Sequence, residues 1–160
     1  MAPAKSTNND GFIQLVGKLN HEWTRAEGLL IHLIAGLSKT DLSTAAIFFQ
    51  NQSGANNRLE LVRQLSEQKV IPSAEREDIL TVIKRLQGIW KKRNQLSHCL
   101  YSFDPSIEIK PEAIKSFADR EEHSIPEQAS ARKNVMAATK DLQRINKSIC
   151  FLMGEYGYPA

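Results

Sequence analysis

Three long segments of this chain repeat apolar residues at alternating steps of three and four, and this spacing constrains the fold more than any other feature. Such steps place side chains on one face of an α-helix, whereas none of the three segments alternates at period two as a half-buried strand would. The sequence therefore predicts an all-α fold, an antiparallel helical bundle in which each stripe is buried against another. The stripes are Phe12, Val16, Leu19, Trp23, Ala26, Leu30, Leu33 and Leu37; Ile79, Val82, Leu86 and Ile89, then Arg93, Leu96 and Leu100; and Val135, Ala138, Leu142, Ile145, Ile149, Leu152 and Tyr156.

Two shorter helices, over residues 41–49 and 55–69, are predicted between the first two long ones, which gives about five in all. Residues 102–125 lack a helical pattern, so an irregular loop segment with some local structure is expected before the last helix. Within it, SIEIK (106–110) could form a short edge strand, but the sequence offers no obvious partner for it. With 160 residues and 41% hydrophobic composition, the chain fits a single domain over 10–157 that follows a disordered tail over 1–9.

Several classes of chemistry have no motif in this sequence. There is no phosphate-binding glycine loop, no nucleophile elbow and no HExxH pair, and the four histidines are scattered, so no cofactor and no metal site is predicted. The longest apolar run, 29–37, is too short to span a bilayer, and no signal peptide is apparent. We therefore expect a cytoplasmic protein with no membrane association, in which Cys99 and Cys150 stay reduced.

Arg93 occupies a position that the apolar residues before it assign to packing. A charge there needs a partner, a wet crevice or an anionic ligand, and a guanidinium suits phosphate oxygens. Asn94 and His98 are four residues apart, on neighbouring turns of one helical face, but Arg93 and His98 diverge by about 140°. Because one helix presents this trio poorly, two copies meeting at a two-fold axis would close the pocket, which predicts a homodimer with a composite site. The alternative is that Arg93 extends to solvent at the edge of the core and His98 caps the helix.

The stretch RNQLSH, from Arg93 to His98, resembles the Arg-polar-x3-His motif of the HEPN superfamily. These are small all-α domains, many of them ribonucleases in toxin–antitoxin, phage-defence and RNA-processing systems. The similarity is specific over about a dozen residues. Here Ser97 and Cys99 stand where alanine and glycine are usual.

The resemblance implies metal-independent cleavage of RNA through its 2′-hydroxyl, giving a 2′,3′-cyclic phosphate. His98 would transfer protons, Arg93 would stabilise the developing negative charge, and Asn94 would orient the histidine or hold a phosphate oxygen. Lys91 and Lys92 would attract the RNA backbone, or would simply form a solvated face. The implied partners are RNA, a second copy of the chain, and an antitoxin or regulatory protein. Two alternatives remain: a non-catalytic HEPN-like module for dimerisation or partner binding, and a helical bundle that binds a small anion at Arg93.

Overall fold

Five α-helices and one pair of short strands make up the described part of the chain. The structure is a computed structural model that describes residues 8–97, 99–102, 110–113 and 128–160, with side chains described for 11–95 and 131–160. The predicted all-α bundle of about five helices is confirmed. The elements in chain order are α1 (Asn8–Ser38), α2 (Leu42–Gln50), α3 (Gly54–Ser66), α4 (Ser73–Ser97), β1 (Cys99–Ser102), β2 (Lys110–Ala113) and α5 (Gln128–Glu155).

The core forms from the apolar stripes that the sequence predicted. Leu19, Leu86 and Leu142, one from each long helix, are fully buried, as are Leu59 and Val62 on α3. Burying a side chain of this size stabilises the fold by roughly 1.5–3 kcal/mol relative to leaving it exposed. The apolar stripes whose spacing predicted the three long helices are therefore also the residues that hold these helices together.

The short helices begin where local side-chain chemistry favours it. Lys39 adopts a left-handed backbone conformation (φ 54°) directly after α1. Asp41 then caps α2, because its Oδ1 accepts a hydrogen bond of 2.9 Å from the backbone N–H of Thr44. Gly54, with φ 81°, occupies the start of α3, where its conformation favours glycine over other residues. These turns bring α2 and α3 back along α1.

The first and last helices run parallel to each other. At one end, the guanidinium of Arg132 on α5 lies 5.7 Å from the centre of the Phe12 ring on α1. At the other, the Nδ1 of His32 on α1 lies 2.8 Å from the carbonyl oxygen of Pro159, just beyond α5. Corresponding ends of the two helices are thus neighbours.

α4 runs antiparallel to both. The hydroxyl of Tyr156, at the end of α5, donates a hydrogen bond of 2.7 Å to Asp78, near the start of α4. Near its other end, α4 contacts the middle of α1 through Arg93 and Asn20. Arg93 is thereby brought next to α1 and to the middle of the bundle.

α4 ends before the sequence pattern predicts. The spacing of Leu96 and Leu100 continues the helical stripe, but the helix ends at Ser97 and Leu100 belongs to β1. β1 pairs antiparallel with β2, with Cys99 opposite Ala113. The segment expected to be an irregular loop thus contains strand β2 and the last residue of β1. Helical spacing cannot foresee a strand partner that follows later in the chain, and this is where the prediction was wrong.

The residues after α5, 156–160, form a C-terminal strap across the end of the bundle. The Tyr158 ring lies directly over Gly36, and its hydroxyl donates to Glu75 on α4. Burial first, and this carboxylate second, raise the pKa of Tyr158 well above its usual value. The strap borders a cleft of about 510 Å³ between the end of α1 and the start of α4.

The remaining predictions on organisation lie largely outside the described residues. The predicted tail over 1–9 falls mostly on undescribed positions, and α1 already includes Asn8. None of the described helices has both the length and the apolarity needed to cross a membrane.

Candidate functional site around Arg93

Arg93 is held by two amide side chains. It is half-buried on the core-facing side of α4, its Nε donates to Oδ1 of Asn20 at 3.0 Å, and one terminal nitrogen donates to Oδ1 of Asn94 at 3.3 Å. Among the described side chains, no carboxylate lies within ion-pair distance of this guanidinium. Both partners are neutral, so the bonds orient the guanidinium and leave its charge uncompensated. That arrangement suits an anionic ligand.

Asn94 and the two lysines lie on the last turns of α4. Asn94 is half-buried, and its amide oxygen accepts a hydrogen bond from Arg93. Lys91 and Lys92 are exposed and directly precede Arg93. His98 lies outside the described residues, so its predicted role stays a prediction. The described residues thus bring together two of the three members of the predicted trio, Arg93 and Asn94.

Asn20 is a site residue that the sequence analysis missed. It lies four residues after Val16 and three before Trp23, so it occupies a stripe position on α1 just as Arg93 does on α4. A polar residue on a core-type position in each of two long helices is a signal that the two side chains meet. Both polar residues are visible in the sequence on core-type positions, but only Arg93 was predicted to belong to a site.

A buried carboxylate lies on the same stretch of α1. Glu22 accepts hydrogen bonds from Nε2 of Gln143 at 3.0 Å and from Nδ2 of Asn146 at 3.1 Å, both on α5. The Gln143 bond lowers the pKa of Glu22 below its usual value, although burial opposes the shift. Asn146 also donates to the backbone carbonyl of Glu22. This network fixes α5 against α1 two residues from Asn20.

Asn146 carries a buried polar atom with no protein partner. The residue is completely buried, and its Oδ1 has no hydrogen-bond donor among the described residues. An unpaired buried acceptor costs roughly 1–3 kcal/mol. The two bonds that Asn146 makes to Glu22 offset that cost, so its role is to hold the helices together.

Other features of the described residues lie away from Arg93. The cleft beside the C-terminal strap is at the opposite end of α4, since Glu75 and Pro72 line it. Over the described part of the chain, no three side chains of His, Cys, Asp or Glu converge as metal ligands would. His21 is exposed and His32 bonds to the strap, in keeping with structural or solvated roles. Cys150 is an exposed free thiol.

Comparisons with known proteins give this site no relative. No protein-family model matches the chain, and neither does any curated protein or solved structure. The site is therefore described by its own geometry: an oriented guanidinium, with no carboxylate partner among the described side chains, beside two exposed lysines.

Proposed function

We propose that this protein is a metal-independent endoribonuclease of HEPN type that acts as a homodimer in a toxin-like or phage-defence-like role. The observation that carries the proposal is the state of Arg93. It sits on a core-type position, is oriented by Asn20 and Asn94, and keeps its positive charge uncompensated among the described side chains. A structural arginine at such a position would be expected to pair with a carboxylate.

The proposed reaction uses a nucleophile that RNA itself supplies. His98 accepts the proton of the 2′-hydroxyl as its oxygen attacks the adjacent phosphorus, and the protonated His98 then gives this proton to the 5′-oxygen of the next nucleotide as the bond from phosphorus to that oxygen breaks. Arg93 stabilises the extra negative charge that develops on the phosphorane. The products are a 2′,3′-cyclic phosphate and a 5′-hydroxyl. Asn94 keeps Arg93 aimed at the phosphate through the bond described above.

The site is proposed to be completed by a second copy of the chain. Arg93 and His98 diverge by about 140° around an ideal helix axis, so one subunit presents both groups poorly to one phosphate. Two copies of the end of α4, related by a two-fold axis, would let the arginine of one subunit meet the histidine of the other.

Cleavage assays without metal test this proposal directly. Purified protein is incubated in EDTA with mixed RNA, beside Arg93→Ala and His98→Ala, and the termini of the products are identified. The native protein is expected to release 2′,3′-cyclic phosphate ends, and each substitution is expected to lower the rate at least about 100-fold, as loss of general acid–base catalysis does. Arg25→Ala and His21→Ala are matched controls, because both residues are exposed on α1.

The controls separate the nuclease from a binding module. If native protein, controls and site variants all leave RNA intact while remaining folded dimers, the non-catalytic alternative replaces the proposal. If all of them cleave equally, a contaminating nuclease is responsible. For a toxin-like role, expression of the native chain is expected to slow bacterial growth, and expression of His98→Ala is not.

A further inference from the structure

The outer face of α5 carries a row of six exposed residues, four of them cations, which we call the α5 stripe. Its members follow one another at steps of four, three, four, three and four, so they share one helical face. Each is exposed, and the stripe points away from the buried face that contains Leu142 and Ile149. From first to last it extends about 27 Å along the helix. The stripe consists of Lys133, Ala137, Lys140, Arg144, Lys147 and Phe151.

α5 as a whole is basic. α5 contains five basic and two acidic residues, a net charge of +3, and the whole chain also has +3. Within the described residues the stripe has one ion pair, from Arg144 to Asp141 at 3.4 Å, and both side chains are largely exposed. Such a pair contributes little, so a phosphate can replace the carboxylate. An ordinary solvated helix face mixes both signs, whereas this stripe carries one.

Two further cations lie on the edge of α4 that is next to α5. Asp78, Arg85 and Lys92 are seven residues apart, which puts them along one edge of that helix. Asp78 accepts a hydrogen bond from Tyr156, the first residue after α5, so this edge lies on the α5 side of α4. Arg85 and Lys92 are both exposed. The cations of the α5 stripe cover the outer face of α5, and Arg85 and Lys92 add two positive charges on the neighbouring helix.

The α5 stripe passes the level of the candidate site. Gln143 and Asn146 on α5 bond to Glu22, two residues from the Asn20 that orients Arg93. Lys140, Arg144 and Lys147 therefore lie at the same height along the bundle as Arg93. A strand that follows the stripe therefore passes the level of the site, on the outer face of α5.

We infer that the α5 stripe, with Arg85 and Lys92, binds the phosphate backbone of single-stranded RNA and guides it to Arg93. The inference rests on the proposed ribonuclease function and names its substrate surface. The cations contact phosphates without reading sequence, as Lys and Arg do on nucleic-acid backbones. Phe151, with 69% of its surface exposed at the end of the stripe, offers a ring on which a base can stack.

The test measures binding with an RNA that cannot be cleaved. A fluorescent single-stranded RNA carrying 2′-O-methyl groups lacks the nucleophile, so its anisotropy reports affinity independently of catalysis. The test variant is Lys140→Gln/Lys147→Gln, and the control is Lys39→Gln/Lys69→Gln, which removes the same charge from exposed positions near the strap. At about 0.1 M salt the test variant should bind roughly 10- to 30-fold more weakly, and the slope of log affinity against log salt should fall by about 1.4, the loss of two single-strand phosphate contacts.

Each alternative result decides the matter. The inference is overturned if both double variants lose affinity equally, or if native protein leaves the RNA unbound. It is also overturned if native protein binds vesicles containing phosphatidylserine and ignores the RNA, since the stripe would then serve a membrane surface. Phe151→Ala is expected to weaken RNA binding about tenfold, and Phe48→Ala, an exposed phenylalanine on α2, is not. Stripe-dependent binding without cleavage would contradict the nuclease alone, and cleavage without stripe dependence would contradict this inference alone.

Discussion

At the scale of single residues, the contact between Arg93 and Asn20 decides how the site is understood. A half-buried guanidinium with a carboxylate partner would be a structural ion pair. With amide partners, the same group is oriented and still able to attract an anion. The sequence located Arg93 because its charge interrupts an apolar stripe. It did not locate the partner, because the contact joins residues that are 73 positions apart.

Substitutions of Asn20 test whether cleavage requires Arg93 to have an uncharged hydrogen-bond partner. Asn20→Asp keeps the size of the side chain and pairs a negative charge with Arg93, so cleavage should fall at least about tenfold in kcat while the fold is retained. Asn20→Ala removes one charge-assisted hydrogen bond, worth about 1.5–3 kcal/mol, and should lower kcat by about 10- to 100-fold with a smaller change in KM. The measurements are steady-state kinetics together with thermal unfolding. Native activity in Asn20→Asp would show that Arg93 does not act through its free charge.

At the scale of elements, the stripes explain what could be predicted and what could not. Each long helix could be predicted from its own residues, because its apolar positions repeat within the helix. The burial of these apolar stripes was predicted for all three helices. The end of α4 and the pairing of β1 with β2 depend on partners elsewhere in the chain, and no local pattern shows them. The α5 stripe is an intermediate case. Its spacing is local and visible in the sequence, but its position at the level of Arg93 follows only from how α5 packs on α1.

The C-terminal strap provides a test of packing at one end of the bundle. A Cβ atom at Gly36 would overlap the ring of Tyr158, whereas one at Gly28, on the same helix, would meet nothing within 4 Å. Gly28→Ala should therefore raise the free energy of unfolding by up to about 1 kcal/mol through helix propensity. Gly36→Ala should displace the strap and lower it by about 1–3 kcal/mol, the usual effect of overpacking. Urea unfolding of both variants measures the difference.

A tyrosine titration shows whether the strap has moved. In the native protein, burial and Glu75 hold the pKa of Tyr158 above its ordinary value of 10, so this tyrosine stabilises the fold below pH 10 and the contribution is lost as the pH rises through the raised pKa. Tyr156, bonded to Asp78, has its pKa raised to about 12. In Gly36→Ala, absorbance at 295 nm should show an additional tyrosine ionising near pH 10. An unchanged titration curve would mean that the strap accommodates the methyl group in place.

At the scale of the whole molecule, the proposed activity depends on how two chains combine. If the arginine of one subunit acts with the histidine of its partner, neither Arg93→Ala nor His98→Ala alone has an intact site, but a mixed dimer has one. Random mixing of equal amounts, after unfolding and refolding together, gives half mixed dimers, so about a quarter of the native activity should return. The measurement is the cleavage rate of the mixture against each variant refolded alone.

Arg25→Ala mixed with His98→Ala serves as the comparison, since that pair changes only one site residue and should give about half of the native activity. A mixture of the two site variants that stays as inactive as its components would place both groups in the same subunit, and the composite site would be wrong.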